Sequence, residues 1–297
     1  MRKKILLLGL GICLLFTACA EKKSKEKADQ PDTKQQKEET SQEAEEGTET
    51  ENETKTETES FEEENTTDLT QIPEVTFTDY SQEITDEESG VHLLSVAENS
   101  PVVSIPENEI AAEKINMTFE QLHIQNQNNI EEDTKLAKDA YKELSDSEKE
   151  SWNGYGYGST YKVMYVSTRI LSIEQESYQW QGGAHPNTWT SSYCFDVTTG
   201  KLLALADIFT DKAEAQKIVE KHILDTITGE EYKDALMEDY ESFVKDILTE
   251  DVFYLNEKGL VVICNPYMVT IYAAGTIEIE VPYEELKDVM NEKYILN

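Results

Sequence analysis

Apolar positions recur at every second residue in some stretches and at every third or fourth in others, and each change of period marks an element. Val75 to Glu83 alternates, with Val75, Phe77 and Asp79 facing one way, and reads as a strand. After a turn at Gly90, Val91 to Val96 and Val102 to Ile105 continue a sheet. Pro106-Glu107-Asn108-Glu109 is a helix start, with a proline and early acids before a helical period. Ile110, Lys114, Ile115, Phe119 and Leu122 suit one helix face; Ile130, Leu136, Ala140, Tyr141 and Leu144 suit its continuation or a second helix. Ser145 to Gly158 reads as a loop ending in the string Trp152-Asn153-Gly154-Tyr155-Gly156-Tyr157-Gly158.

The next section is rich in strands. Tyr161 to Val166 and Arg169 to Ile173 carry β-branched and aromatic residues. Tyr178-Gln179-Trp180 leads into Gly182-Gly183-Ala184-His185-Pro186-Asn187, Thr188 to Val197 is another strand, and Thr198-Thr199-Gly200-Lys201 is a tight turn. Helices are predicted over Lys212 to Ile227 and Glu231 to Leu248. Phe253 to Leu255 and Leu260 to Ile263 flank the turn Asn256-Glu257-Lys258-Gly259 as a hairpin. Thr276 to Val281 is the last strand and Tyr283 to Met290 the last helix. The order predicts an α+β fold of mostly antiparallel sheet with packed helices.

The first 74 residues follow another pattern. Arg2, Lys3 and Lys4 precede the apolar run Ile5 to Phe16, and Thr17-Ala18 leads to Cys19. A basic end, a short apolar run and small residues at a cut site describe a secretory signal over residues 1–18. The run is shorter than the roughly 20 apolar residues a bilayer span needs. A cysteine directly after Thr-Ala resembles a bacterial lipobox, which implies lipidation at Cys19 and an anchor on the outer face of the cytoplasmic membrane of a Gram-positive-type bacterium; the alternative is an ordinary signal with an incidental cysteine. Residues 19–74 hold polar repeats such as Glu49-Thr50-Glu51-Asn52-Glu53-Thr54 and one aromatic, Phe61. They have too little apolar surface to offset backbone ordering, and read as a disordered acidic tether.

Charge sharpens this picture. The chain carries −35, and residues 75–297 account for −26 of it, with 42 acids. Such a domain repels nucleic acid and anionic lipid and attracts cationic partners; generic solubility is the plain alternative. The same 42 acids make any pair of carboxylates uninformative. Histidines at 92, 123, 185 and 222 are not closely paired and no Cys-x-x-Cys is present, so no metal and no cofactor are expected. Cys13 falls within the signal, leaving Cys194 and Cys264 as one disulfide or two buried thiols.

No nucleophile elbow or phosphate loop is found, and no catalytic residue is assigned. Gly182 and Gly183 permit positive φ, and Pro186 fixes the exit from the His185 turn. His185 reads as a structural turn residue, a binding contact or a catalytic base. Asn187, Pro266, Tyr267 and Tyr272 join it as candidate contacts, tyrosine being amphipathic and frequent at interfaces.

Tyr178-Gln179-Trp180-Gln181-Gly182-Gly183-Ala184-His185, Phe195-Asp196-Val197-Thr198-Thr199-Gly200-Lys201 and Leu205-Ala206-Asp207-Ile208-Phe209 resemble the extracytoplasmic region of the RsiV-like family. Asn265-Pro266-Tyr267, Tyr272-Ala273-Ala274-Gly275 and Val281-Pro282-Tyr283-Glu284-Glu285-Leu286 extend the likeness. Pro186 stands where that family usually has glycine, and Ile271 where it has proline. The family senses lysozyme as anti-sigma factors, and its domain pair also sits beside the deacetylase domain of PdaC. The resemblance implies two adjacent small subdomains, an N-terminal domain over 75–180 and a C-terminal one over 181–297. It also implies a non-enzymatic partner for a lysozyme-type protein or for peptidoglycan, acting as decoy, inhibitor or co-receptor, without the sigma-binding or transmembrane segment. The alternative is a peptidoglycan-modifying enzyme or an accessory to a deacetylase.

Overall fold

The computed structural model describes residues 68–296. The expected signal, Cys19 and nearly all of the tether lie outside the described residues. The elements run β1 (Glu74–Thr85), β2 (His92–Ser104), α1 (Glu109–Glu143), α2 (Asp146–Lys149), β3 (Tyr155–Val166), β4 (Ile170–Trp180), β5 (Asn187–Asp196) and β6 (Lys201–Leu202). They continue as α3 (Leu205–Ile208), α4 (Lys212–Ile227), α5 (Tyr240–Val244), β7 (Phe253–Leu255), β8 (Gly259–Cys264), β9 (Ile277–Pro282) and α6 (Tyr283–Leu286). Strands β1 to β6 form one sheet in chain order, and β7-β8-β9 a second. All neighbours are antiparallel except β2 and β3, which α1 connects in parallel. The α+β expectation holds. Residues 75–180 supply β1 to β4 and α1, later residues supply the rest, and β4 pairs with β5 over ten positions, from Ile170↔Asp196 to Gln179↔Asn187.

One face of the larger sheet packs on α1. Asn108 caps this helix, its Oδ1 accepting from the Ala111 N–H at 3.1 Å. Phe119 lies edge-on to Tyr161 and Tyr193 at centroid distances of 5.5 and 6.0 Å, and 5.5 Å from Phe195. The buried positions run through Ala111, Ile115, Phe119, Leu122, Asn126, Ile130, Asp133 and Ala137. Of the two alternatives, a continuation or a second helix, the continuation is realised as a single 35-residue helix. Ile110 and Leu136, expected on the inner face, are exposed. Asn126 and Asp133 break the apolar stripe, but neither lacks partners. Asn126 donates to Glu98 at 2.8 Å and accepts from the Tyr157 hydroxyl at 2.9 Å. Asp133 accepts from Gln179 at 2.8 Å and from Gln181 at 2.6 Å.

The other face meets the second sheet along β4 and β5. Ser172 donates to the Leu255 carbonyl at 2.7 Å, and the Ser192 N–H to that of Asp251 at 2.9 Å. Ala215, Val219, Ile223 and Ile227 of α4 join β7 to β9 in a second core. At this junction Glu174 lies against Glu278, which also accepts from the Tyr254 hydroxyl at 2.6 Å.

Three further expectations are corrected. Tyr155 to Gly158 is not loop but the start of β3, with Gly156 opposite Trp180 and Gly158 opposite Tyr178. A Cβ on Gly156 would stand 3.2 Å from Tyr178 Cε1, and one on Gly158 3.4 Å from Tyr178 Cβ. The Tyr178 side chain thus occupies the space these glycines leave open. Glu231 to Leu248 is not one helix; a 3-10 turn at Lys233–Ala235 and the short α5 divide it, because its backbone pairs with another loop at Leu236↔Thr270. The last helix ends at Leu286. Cys194 and Cys264 are buried free thiols, so the disulfide alternative is not realised. Burial pushes them up to about 11 and about 12, which keeps both protonated and unreactive near neutral pH. No helix among the described residues is long and apolar enough to cross a membrane.

Candidate functional site

The β4–β5 connection turns through Gly182 at φ 85° and Gly183 at φ 114°, a left-handed path open to glycine. The Trp180 indole N–H donates to the Gly183 carbonyl at 3.4 Å. This path presents His185 to solvent. Its Nδ1 lies 2.8 Å from its neighbour Pro186's carbonyl, which can only accept, so Nδ1 carries the proton. Nε2 lies 3.3 Å from the Tyr267 hydroxyl. The imidazole stacks on Tyr272, with centroids 3.9 Å apart and planes 17° from parallel, and Tyr267 and Tyr272 are 5.9 Å apart.

The partner loop, residues 265–275, is anchored from below. Asn265 is fully buried; its Oδ1 accepts from the Thr190 N–H at 2.7 Å and its Nδ2 donates to the Thr190 carbonyl at 2.8 Å. Tyr267 has φ 68°, and among the described residues no other non-glycine has positive φ. That conformation costs about 1–2 kcal/mol and is held by the Tyr267 N–H to the Thr270 carbonyl at 2.9 Å. Tyr272 opens a 3-10 turn that Gly275 closes at φ 72°.

Sequence candidates separated by about eighty positions therefore meet. His185, Tyr267 and Tyr272 form one aromatic surface, and Gly182 and Gly183 shape its approach. Pro266 is buried beneath it. Asn187 stands opposite Gln179 at the start of β5, outside this cluster. Two contributors were not anticipated. Tyr178 and Trp180 alternate on the open face of the sheet beside the His185 loop, Tyr178 being 38% exposed. The signal for them was Gly156 and Gly158 at alternate positions of a strand. The second is an acidic rim. Residues 229–244 run beside the Tyr loop, with the Ile271 N–H donating to the Ala235 carbonyl at 2.8 Å, and expose Glu230, Glu231, Asp234, Glu238, Asp239 and Glu241.

A different group has the composition of a hydrolytic triad. Ser95 Oγ lies 3.1 Å from His92 Nε2 and 2.8 Å from Glu83 Oε2, and His92 Nε2 lies 2.5 Å from the same carboxylate oxygen. The acid and the serine share one ring nitrogen, while Nδ1 faces the Asn153 carbonyl at 3.1 Å. Ser95 gives its proton to Glu83, and no free imidazole nitrogen remains to activate it. These bonds, the serine's first, hold Glu83 below the usual carboxylate range. The group fastens β1 and β2 to the loop before β3. No metal-binding cluster occurs among the described residues. The chemistry of the His185 surface is that of contact: stacking faces, a hydroxyl and a ring N–H already used.

The family described as "Deacetylase PdaC" matches residues 87–188, and "Protein of unknown function (DUF3298)" matches residues 206–284. The chain carries a PdaC-like region followed by a DUF3298-like region. It is 25% identical over 143 residues to the peptidoglycan-N-acetylmuramic acid deacetylase PdaC of Bacillus subtilis (strain 168). That match covers 46% of this chain and 29% of the relative, so the chain spans less than a third of that protein. A DUF3298-family crystal structure from Bacteroides fragilis has a TM-score of 0.55 at 18% identity, covering 74% of this chain and 94% of that one. It shares the fold. A DUF3298-family protein from Pseudomonas aeruginosa gives a TM-score of 0.49 at 15% identity, covering 75% and 98%. The His185 loop closes the PdaC-like region, while Tyr267 and Tyr272 belong to the DUF3298-like one, so the aromatic surface joins the two.

Proposed function

We propose that this protein is a non-catalytic module of the cell envelope that captures a cationic muramidase of the lysozyme type, held at the membrane surface through a lipid on Cys19. The observation that carries the reading is the exposed His185–Tyr267–Tyr272 surface beside six exposed acids on residues 230–241. Aromatic anchors surrounded by charge are the usual make-up of a protein contact, and acids there favour an arginine- and lysine-rich partner. The charge of −26 on residues 75–297 extends that preference over the whole module. Lysozyme capture and the anchor also fit the RsiV-like motifs. A second reading, that the module contacts peptidoglycan as an accessory to its deacetylation, is favoured by the similarity of residues 87–188 to PdaC.

Calorimetric titration with hen lysozyme separates the two. We expect one-to-one binding at low salt that weakens at moderate salt, and about tenfold loss for Tyr272→Ala. Absence of binding at low salt overturns the capture reading. Binding of labelled muropeptides without binding of lysozyme, weakened in His185→Ala, supports the second.

A further inference from the structure

A second concavity lies away from the aromatic surface, between the β1–β2 ribbon and α1. It encloses about 600 Å³ and is lined by Asp79, Tyr80, Glu98, Phe119, Glu120 and His123 among others. Glu98 is its most telling side chain. It is 6% exposed, stands opposite Tyr80 in the β1–β2 register, and accepts from Asn126 at 2.8 Å and from Gln127 at 3.3 Å. Both donors are neutral amides. No lysine or arginine lines the concavity, and none pairs with Glu98, Asp79 or Glu120 among the described residues. His123 is the one basic side chain of the lining and reaches Glu98 through its field alone.

A buried carboxylate without a cationic partner is costly, and each oxygen keeps a lone pair that the amides leave unused. Burial accordingly raises the affinity of Glu98 for its proton. The arrangement is expensive for folding alone and suited to receiving a positive donor from outside. We infer that the cleft binds a small ligand through a primary ammonium group seated against Glu98, with the ring of Tyr80 beside it. Tyr80 is 41% exposed, and its ring offers a π face to a cation or the flat side of a sugar. Asp79 and Glu120, both exposed at the mouth, add attraction of the same sign. The volume is that of a small-molecule site. The ammonium would displace water and complete the carboxylate's shell, as a charge-assisted hydrogen bond roughly twice as strong as a neutral one. The inference is independent of the aromatic surface and of lysozyme capture.

The test is an NMR titration of the full chain at low salt with three probes: the β-1,4-linked glucosamine dimer, its N,N′-diacetyl form, and cadaverine. We expect saturable binding of the two amines, with shifts at Glu98, Asn126 and Gln127, and about tenfold or weaker binding of the diacetyl dimer. Glu98→Gln should lose about tenfold or more, and Asp79→Asn or Glu120→Gln about two- to threefold. Tighter binding of the glucosamine dimer than of cadaverine assigns the ammonium to an amino sugar; equal binding assigns recognition to the ammonium itself, and both support the inference. Equal affinity for free and acetylated dimers overturns it, as does wild-type affinity in Glu98→Gln. Should Glu98→Gln fail to fold, the dimer comparison on the natural chain and the two mouth variants decide the matter.

Discussion

Asn265 uses both ends of one amide on both backbone groups of one residue, Thr190, in another strand. The side chain is fully buried, so no water replaces what it supplies. Asn265→Ala leaves the Thr190 N–H and C=O without their partner, at about 1–3 kcal/mol for each buried group so stranded. Urea unfolding should show a loss of about 2–4 kcal/mol, and Tyr267 should lose the geometry that brings its hydroxyl to His185. A loss below about 0.5 kcal/mol would mean that the clamp is dispensable. Asn265-Pro266-Tyr267 was legible in the sequence as a motif, but its division of labour was not. The sequence offers no sign that Asn265 looks down to a strand 75 positions earlier while Tyr267 looks out. His185 was legible as an unusual residue, and its contacts with the Pro186 carbonyl and the Tyr267 hydroxyl became evident only in the fold.

At the scale of elements, α4, β7, β8, β9 and the turn at Gly200 were readable because each has a clean period or a turn residue at its limit. Helix α1 was readable only in part, since its buried stripe passes through Asn126 and Asp133, and polar residues on a core face look like an interruption until their partners on β2, β3 and β4 are known. The β3 start failed for the opposite reason: glycines that serve Tyr178 resemble loop glycines. Contacts between elements were illegible, and the junction of the two sheets is the clearest case. Glu174 is lifted to about 7, first by burial and then by the charge of Glu278 beside it. Glu278 of β9, Tyr254 of β7, Glu176 of β4 and Lys162 of β3 are the charged or titratable groups around it. The folded protein holds this proton more tightly than the unfolded chain, whose value is 4.5. The stabilisation is therefore complete below 4.5 and is lost as pH rises through about 7. The urea midpoint should fall between pH 5 and pH 8. Glu174→Gln, neutral at every pH, should flatten that fall, and an unchanged slope in the variant would show that the pair is not its source.

For the whole molecule, the sum of the charge was visible in the sequence, while its placement needed the fold. Glu231 to Leu248 read as a helix and nothing more; as a 3-10 turn and the short α5, with backbone hydrogen bonds to the loop that carries Tyr267 and Tyr272, the segment brings its acids alongside that loop. Long-range field and short-range anchors act on different rate constants. A field of one sign speeds encounter with a cation and is screened over about 10 Å at 0.1 M salt, whereas stacking and packing are felt only after contact. Stopped-flow or biosensor measurement of lysozyme on the full chain should therefore divide cleanly. Raising salt from about 10 to about 150 mM should lower the association rate by about tenfold or more, with little change in dissociation. Tyr272→Ala should leave association within about twofold and raise dissociation about tenfold. Replacing Glu238, Asp239 and Glu241 by their amides should slow association and flatten its salt dependence, because the field beside the surface is then weaker. An association rate indifferent to salt would remove the electrostatic half of the proposed capture. A dissociation rate indifferent to Tyr272 would move the contact away from the aromatic surface, and the acids of residues 229–244 would then have no anchor to surround.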